Sequence, residues 1–168
     1  QSMAFRVPNM MIAASCSKNF GVYRDRVGAA IVIAEENASA KLAEDNLKSL
    51  NRLTFSFPPD HGAAVVELIL TELELKEKWQ IELENMRKGM LDLRLMLAKS
   101  LKQATGSERF DFISAHRGMF SRLGLSEKNV KVLREEFGIY MVSDSRINIA
   151  GLQRDKIDFL ASSISKII

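Results

Sequence analysis

Apolar and polar positions along this 168-residue chain change their period repeatedly, and each change marks an element. Met10-Met11-Ile12-Ala13-Ala14 and Ala29-Ala30-Ile31-Val32-Ile33-Ala34 are short continuous apolar runs, and each predicts a strand. A helix is predicted over residues 38–53, opening after Asn37, a good capping residue. Phe57-Pro58-Pro59 ends it, because tandem prolines remove amide donors and restrict the residue before them. A second helix is predicted from His61 through Ala64-Val65-Val66 to Leu70. Apolar residues at Trp79, Leu83, Met86, Met90, Leu93 and Leu97 then step by four and three. That spacing predicts one long helix over residues 75–104 with a narrow apolar stripe. At ~1.5 Å per residue it would span roughly 45 Å. Gly106 stops it, since glycine readily takes the left-handed conformation of a helix end.

The remaining residues alternate faster. Residues 110–114 read as a strand, and Gly118-Met119-Phe120-Ser121 as a short extended piece. Ser126 caps a helix to Phe137, closed by Gly138. Ile139-Tyr140-Met141-Val142 and Arg146-Ile147-Asn148-Ile149 read as two strands around a Ser143-Asp144-Ser145 turn. A last amphipathic helix covers residues 154–167. The organisation is therefore residues 1–70, a long helix over 71–105, and an α+β unit over 106–168.

Composition narrows the class. Hydrophobic content of 46% and charged content of 27% suit a globular chain. No apolar run approaches the ~20 residues of a membrane helix, and the first residues lack a signal-peptide pattern. A cytoplasmic protein with no membrane partner is expected. Cys16 is the only cysteine, which excludes an intrachain disulfide framework and a thiolate metal cluster. His61 and His116 stand alone, with no second histidine at ligand spacing, so no metal is expected. The net charge of +3 comes from interspersed signs, which argues against nucleic acid as a partner. Gln1 is an unusual first residue, and a truncated chain or added residues before Met3 are expected.

The candidate chemistry lies between the first two strands. Ser15-Cys16-Ser17-Lys18-Asn19-Phe20-Gly21, followed by Arg26, offers hydroxyls, an amine and a guanidinium. The arginine fork matches a phosphate bidentately, and a neighbouring cation favours the neutral amine that attacks an aldehyde. Such a turn suits pyridoxal phosphate held through a Schiff base. The plainer readings are a solvated loop lysine and an arginine paired with Asp25. Arg146 opens an apolar strand, where it is either a strand-end charge or a fork for a substrate carboxylate. Arg52 sits late in a helix, where a cation complements the helix dipole.

Ser15-Cys16-Ser17-Lys18-Asn19-Phe20-Gly21-Val22-Tyr23-Arg24-Asp25-Arg26-Val27-Gly28-Ala29 resembles the cofactor-lysine segment of the aspartate and aromatic amino-acid aminotransferases, fold-type I pyridoxal-phosphate enzymes. Ser56-Phe57-Pro58-Pro59-Asp60-His61-Gly62-Ala63 is similar to that family's Ser-x-Pro-Pro-x-x-Gly segment. Gly118-Met119-Phe120-Ser121, Leu133-Arg134-Glu135-Glu136-Phe137-Gly138-Ile139-Tyr140 and Ser145-Arg146-Ile147-Asn148-Ile149-Ala150-Gly151 match its carboxy-terminal segments in order. Ser15-Cys16-Ser17-Lys18 is nearer the bacterial aromatic branch.

The resemblance implies an α/β fold with an α+β small domain: the end of the large cofactor domain, the connecting helix and the small domain. It implies an aminotransferase that moves an amino group between an aromatic or dicarboxylic amino acid and a 2-oxo acid. Lys18 would bind pyridoxal 5'-phosphate and move the substrate proton. Ser15, Ser17 and Arg26 would hold the phosphate, and Arg146 would clamp the substrate α-carboxylate. Arg52 matches the arginine that reaches the neighbouring subunit's site in a homodimer. The family's amino-terminal groups around the pyridine ring have no counterpart here, so this chain alone is expected to be inactive. The alternative is a non-catalytic interaction module built on the long striped helix.

Overall fold

The computed structural model describes Met3 and residues 5–168. Gln1 and Ser2, where added residues were expected, lie outside the described residues. The chain divides into two compact units, Gln1–Ile81 and Glu82–Ile168.

The first unit opens with strands β1 (Met10–Ser15) and β2 (Gly28–Ile33), close to the apolar runs that predict them. They pair antiparallel from Met10↔Ile33 to Ser15↔Gly28. Cys16 N–H donates to Val27 O at 3.0 Å and carries the ladder one step into the connecting loop. Helix α1 (Asn37–Phe55) takes Asn37 as its first residue, preceded by an extended Glu36, so the expected asparagine cap is not made. Lys41, Glu44, Asp45 and Lys48 form i,i+3 and i,i+4 ion pairs along its solvent face. The helix ends at Ser56 with φ of 61°, just before the prolines. Helix α2 (His61–Thr71) follows.

Helix α3 (Leu73–Thr105) is the long helix, two residues longer at its start than its periodicity predicts. Gly106 stops it at φ of 65°. On its exposed face Glu84 accepts from Arg87 Nε at 2.6 Å and Nη2 at 2.7 Å. These hydrogen bonds hold the Glu84 carboxyl at a pKa of about 2, below its ordinary 4.5. Because the folded value lies below the unfolded one, the pair supports the helix above pH 4.5 and loses that support as pH falls through about 2. A carboxyl carbon-13 titration should show a Glu84 midpoint near 2. It should move back toward 4.5 in Arg87→Ala, and an ordinary midpoint in the wild type would rule out the bidentate pair.

The second unit holds the apolar core. Every buried hydrophobic side chain among the described residues falls between Leu97 and Ile164, including Leu101, Phe110, Ile113, Leu133 and Ile149 at 0% exposure. Each contributes roughly 1.5–3 kcal/mol by leaving water. By contrast, α1 buries no residue, and Met11, Ile31, Leu53 and Phe57 of the first unit are exposed.

Helix α4 (Phe112–Ala115) stands where residues 110–114 were expected to be a strand. Phe110 and Ile113 are both buried, three apart, and Ile113 N–H donates to Phe110 O at 3.0 Å. That is helical spacing; the local Phe-Asp-Phe alternation imitates a strand only over its first three residues. Strand β3 (Phe120–Arg122) follows, then helix α5 (Glu127–Phe137). Ser126 Oγ accepts from Asn129 N–H, as its cap role predicts, and Gly138 closes α5 at φ of 66°.

Strand β4 (Arg146–Asn148) pairs antiparallel with β3, not with residues 139–142. The expected hairpin around Ser143-Asp144-Ser145 is therefore absent, and residues 139–142 run without a ladder. Ser145 explains the choice. It is fully buried with φ of 60°, its N–H donates to Val142 O at 2.9 Å, and its carbonyl accepts from Leu123 N–H at 3.1 Å. Its Oγ accepts from Leu125 N–H at 3.1 Å, so the turn is tied to the chain leaving β3. Single 3-10 turns at Ile149–Gly151 and Arg154–Lys156 lead into helix α6 (Ile157–Ser165), the shorter form of the expected last helix. Both sheets among the described residues have two strands.

Candidate active site

In the first unit, the residues leaving β1 form a tight turn. Phe20 N–H donates to Cys16 O at 3.1 Å, closing one turn of chain around Lys18. Ser17 N–H donates to Ser15 Oγ at 3.2 Å, and Ser15 Oγ donates to Ser17 Oγ at 3.1 Å. The two hydroxyls thus meet, and the structure brings Ser15 and Ser17 together. Ser17 is buried and Lys18 is exposed. With its nitrogen facing inward, the Asn19 carboxamide donates to Cys16 O at 3.2 Å and Ser15 O at 3.1 Å. Gly21 leaves the turn at φ of 71°, which a side chain would resist.

Tyr23 links the lysine to the arginine. Lys18 Nζ lies 5.4 Å from the centre of the Tyr23 ring, and Arg26 Nη1 donates to Tyr23 O at 3.3 Å. Arg26 itself is left-handed at φ of 54°, a conformation that costs a non-glycine residue about 1–3 kcal/mol. No carboxylate holds its guanidinium in the described contacts, and Asp25 pairs with His61 Nδ1 at 3.1 Å instead.

That His61–Asp25 contact explains the proline segment. It pins the start of α2 to the loop that carries Arg26. Gly62 sits so close that a Cβ would lie 2.1 Å from Val27 Cγ2 and 2.6 Å from Asp25 Cβ. Only glycine allows this approach. A cleft of about 520 Å³ opens there, lined by Arg26, Phe57, Pro58, Pro59 and His61 among others. Lys18, Ser15 and Ser17 do not line it.

Trp79 is the residue that periodicity misread. As a member of the α3 stripe it reads as packing. In the structure Trp79 Nε1 donates to Asn19 O at 2.7 Å, and its indole stacks on Phe20 with centroids 4.6 Å apart and planes 7° from parallel. Further along the stripe, Met90 and Leu93 pack on the core and Leu97 belongs to it. The stripe is largely spent on the chain's own residues, and the interaction-module alternative is not supported.

In the second unit, Arg146 opens β4 with its guanidinium 5.4 Å from the centre of the Phe120 ring. Its N–H donates to Asp144 Oδ1 at 3.1 Å, while the Asp144 carboxylate faces Arg122 Nε at 3.6 Å. The nearest acid is thereby engaged by another arginine. Arg146 lines a cleft of about 390 Å³ with Phe120, Tyr140, Met141 and Asn148 among others. Arg52 lies in the last turn of α1, exposed, where its carbonyl accepts from Ser56 N–H at 3.2 Å.

Arg94, also missed, is the largest fully buried side chain of the second unit. Nη1 donates to Ile113 O at 3.2 Å and Ser121 Oγ at 2.7 Å; Nη2 donates to Gly118 O at 2.8 Å and Phe120 O at 3.1 Å. Burial, with Arg117 as a second cause, lowers its pKa. Its position was a visible signal, since a charge four residues after Met90 and three before Leu97 lies inside the apolar stripe. His116 is structural: its ring tilts against Phe112 and Nδ1 lies 3.2 Å from Ser121 Oγ.

The donor set of the first unit fits a phosphate monoester that also carries an aldehyde. Two hydroxyls and a guanidinium suit the dianion, and a lysine amine on the same loop suits the carbonyl. Among the described residues, no group of three or more acidic, cysteine or histidine side chains could hold a metal, and no helix is long and apolar enough to cross a membrane.

Known proteins carry the same pattern. The family described as "Aminotransferase class I and II" matches residues 4–164. The aromatic-amino-acid aminotransferase of Paracoccus denitrificans is 52% identical over 165 residues, 98% of this chain and 42% of that protein. The aspartate aminotransferase of Haemophilus influenzae is 38% identical over 159 residues, 95% of this chain and 40% of that protein. The solved aromatic-amino-acid aminotransferase of Burkholderia pseudomallei, described as covalently bound to pyridoxal phosphate, superposes with a TM-score of 0.85 at 40% identity, over 95% of this chain and 40% of that one. This chain thus spans about 42% of the length of the first of these relatives.

Proposed function

This chain belongs to the class I and II aminotransferase family, and from that membership we propose that it supplies the cofactor lysine, phosphate cradle and carboxylate fork of an amino-group transferase acting through pyridoxal phosphate. The substrates are an aromatic or dicarboxylic amino acid and a 2-oxo acid. The observation that carries the reading is the closed turn at residues 16–20, which presents Lys18 beside the paired Ser15 and Ser17 hydroxyls.

When bound, pyridoxal phosphate supplies the electron sink that makes the substrate α-carbon acidic. The chain's own residues do the rest. Ser15, Ser17 and Arg26 would hold the phosphate through two hydroxyls and a guanidinium. Lys18 Nζ would take the proton from the substrate α-carbon and deliver it to the cofactor's C4′ carbon, two bonds away across the shared nitrogen. Arg146 binds the α-carboxylate bidentately, its side chain left free of Asp144 by Arg122. Arg52, exposed at the end of α1, serves a side-chain carboxylate in the site of a second copy in a homodimer. Residues 1–70 form the end of the large domain, 71–105 the connecting helix and 106–168 the small domain.

The test is chemical trapping. Full-length protein mixed with pyridoxal phosphate and reduced with borohydride should yield a phosphopyridoxyl peptide at Lys18. Labelling confined to another lysine would overturn the assignment.

A further inference from the structure

We infer that Trp79 is a positioning residue for Lys18. The inference rests on the reading of Lys18 as the cofactor lysine. Lys18 needs its amine placed to within a fraction of an ångström, since misplacement of about 1 Å can cost 10²-fold. The turn that carries it is anchored well on one side. Upstream, Cys16 N–H continues the β1–β2 ladder to Val27 O at 3.0 Å, and Ser17 N–H reaches Ser15 Oγ at 3.2 Å. Downstream, the chain runs into Gly21 at φ of 71°, a residue that lends no stiffness.

Trp79 supplies the downstream anchor from a different element. It lies 60 residues beyond Asn19 on helix α3 and grips the two residues that follow Lys18 in two ways. The indole N–H, which can only donate, takes the Asn19 carbonyl at 2.7 Å. The indole face takes the Phe20 ring in a near-parallel stack, centroids 4.6 Å apart. The hydrogen bond fixes the peptide plane beyond Lys18, and the stack fixes the rotation of the next residue. Trp79 contacts the chain on either side of that peptide and leaves Lys18 Nζ to Tyr23. Its role is to place the lysine.

Two substitutions in the full-length holoenzyme separate the two grips. Trp79→Phe keeps an aromatic ring for the stack and removes the N–H. Phe20→Leu keeps the hydrogen bond and removes the stack. The half-reaction with tyrosine, followed by stopped-flow absorbance with α-protiated and α-deuterated substrate, reads proton transfer directly. For Trp79→Phe the proton-transfer rate should fall roughly fivefold, the size of one neutral hydrogen bond. The dissociation constant for tyrosine should stay within about twofold, and the primary deuterium isotope effect should rise. A merely structural role would lower the amount of active enzyme and leave the isotope effect unchanged. Wild-type rate and isotope effect in Trp79→Phe, or a rate loss with no change in isotope effect, would overturn the inference. Should Trp79→Phe fail to fold, Phe20→Leu decides by the same isotope criterion. Borohydride labelling of the wild type is run alongside. Wild type unlabelled at Lys18 defeats the reading of the lysine; wild type labelled at Lys18 with an unaltered variant defeats only the role of Trp79.

Discussion

Replacing Lys18 by alanine should lower the amino-transfer rate of the full-length enzyme by about 10²–10⁴-fold, the usual range for removing a group that moves a proton in the transition state. The loss should fall on kcat, with substrate affinity far less changed. Lys18 is exposed and contributes no apolar packing, so the variant should keep its unfolding free energy to within the ~0.5 kcal/mol typical of surface changes. Carboxylate recognition is assigned to Arg146, on β4, and the phosphate contacts to Ser15, Ser17 and Arg26. Both should survive the substitution. Steady-state kinetics with tyrosine and 2-oxoglutarate, beside a thermal melt, check this. A variant with near-wild-type kcat would remove Lys18 from the chemistry.

Arg94→Met should be the most damaging single change to the fold of the second unit. Methionine matches much of the arginine's volume, so the loss is polar. The substitution removes the donors to the buried Ile113 carbonyl and Ser121 hydroxyl and to the part-buried carbonyls of Gly118 and Phe120. Each buried acceptor left unpaired costs about 1–3 kcal/mol. Relief of the desolvated charge offsets part of that, because no carboxylate pairs with Arg94 and its Nε has no partner among the described residues. The net expectation is about 3–5 kcal/mol. At about 2–4 °C per kcal/mol for 150–250 residues, the thermal midpoint should fall by roughly 6–20 °C. Arg94→Lys should lose less, since it keeps a donor but not the planar fork. The effect should reach substrate binding too: Arg94 holds Phe120 and Ser121 of β3, and β3 carries β4 and Arg146 through the register Arg122↔Arg146. An Arg94→Met midpoint within 1–2 °C of the wild type would contradict this account.

Much of the site was legible because its signals are local. The apolar runs around Ser15–Lys18, the Ser126 cap and the glycines after α3 and α5 each depend on a few neighbouring residues. So do the chemistries of the lysine, the serines and Arg26. What failed to show were pairings over distance. Residues 110–114 and 139–142 carry strand-like patterns, yet the first coils into a helical turn to bury Phe110 and Ile113 together. The second is left without a ladder because Ser145 turns β4 toward β3. Neither outcome is encoded in a window of five residues.

Sequence alone thus determined which segments are helical or extended in most of the chain, which residues carry reactive groups, and the family resemblance that orders them. Only the tertiary structure decided what each buried polar group meets. It turned Trp79 from a stripe residue into the anchor of Asn19 and Phe20, and it showed Arg94 as the clamp of the chain before and within β3. It also showed why Gly62 must be glycine, where α2 meets Val27 and Asp25. The physical reason is the same in each case. Local pattern sets what a residue can do with its neighbours, whereas a buried donor or acceptor must find its partner wherever the folded chain brings one, here as far as 60 residues away.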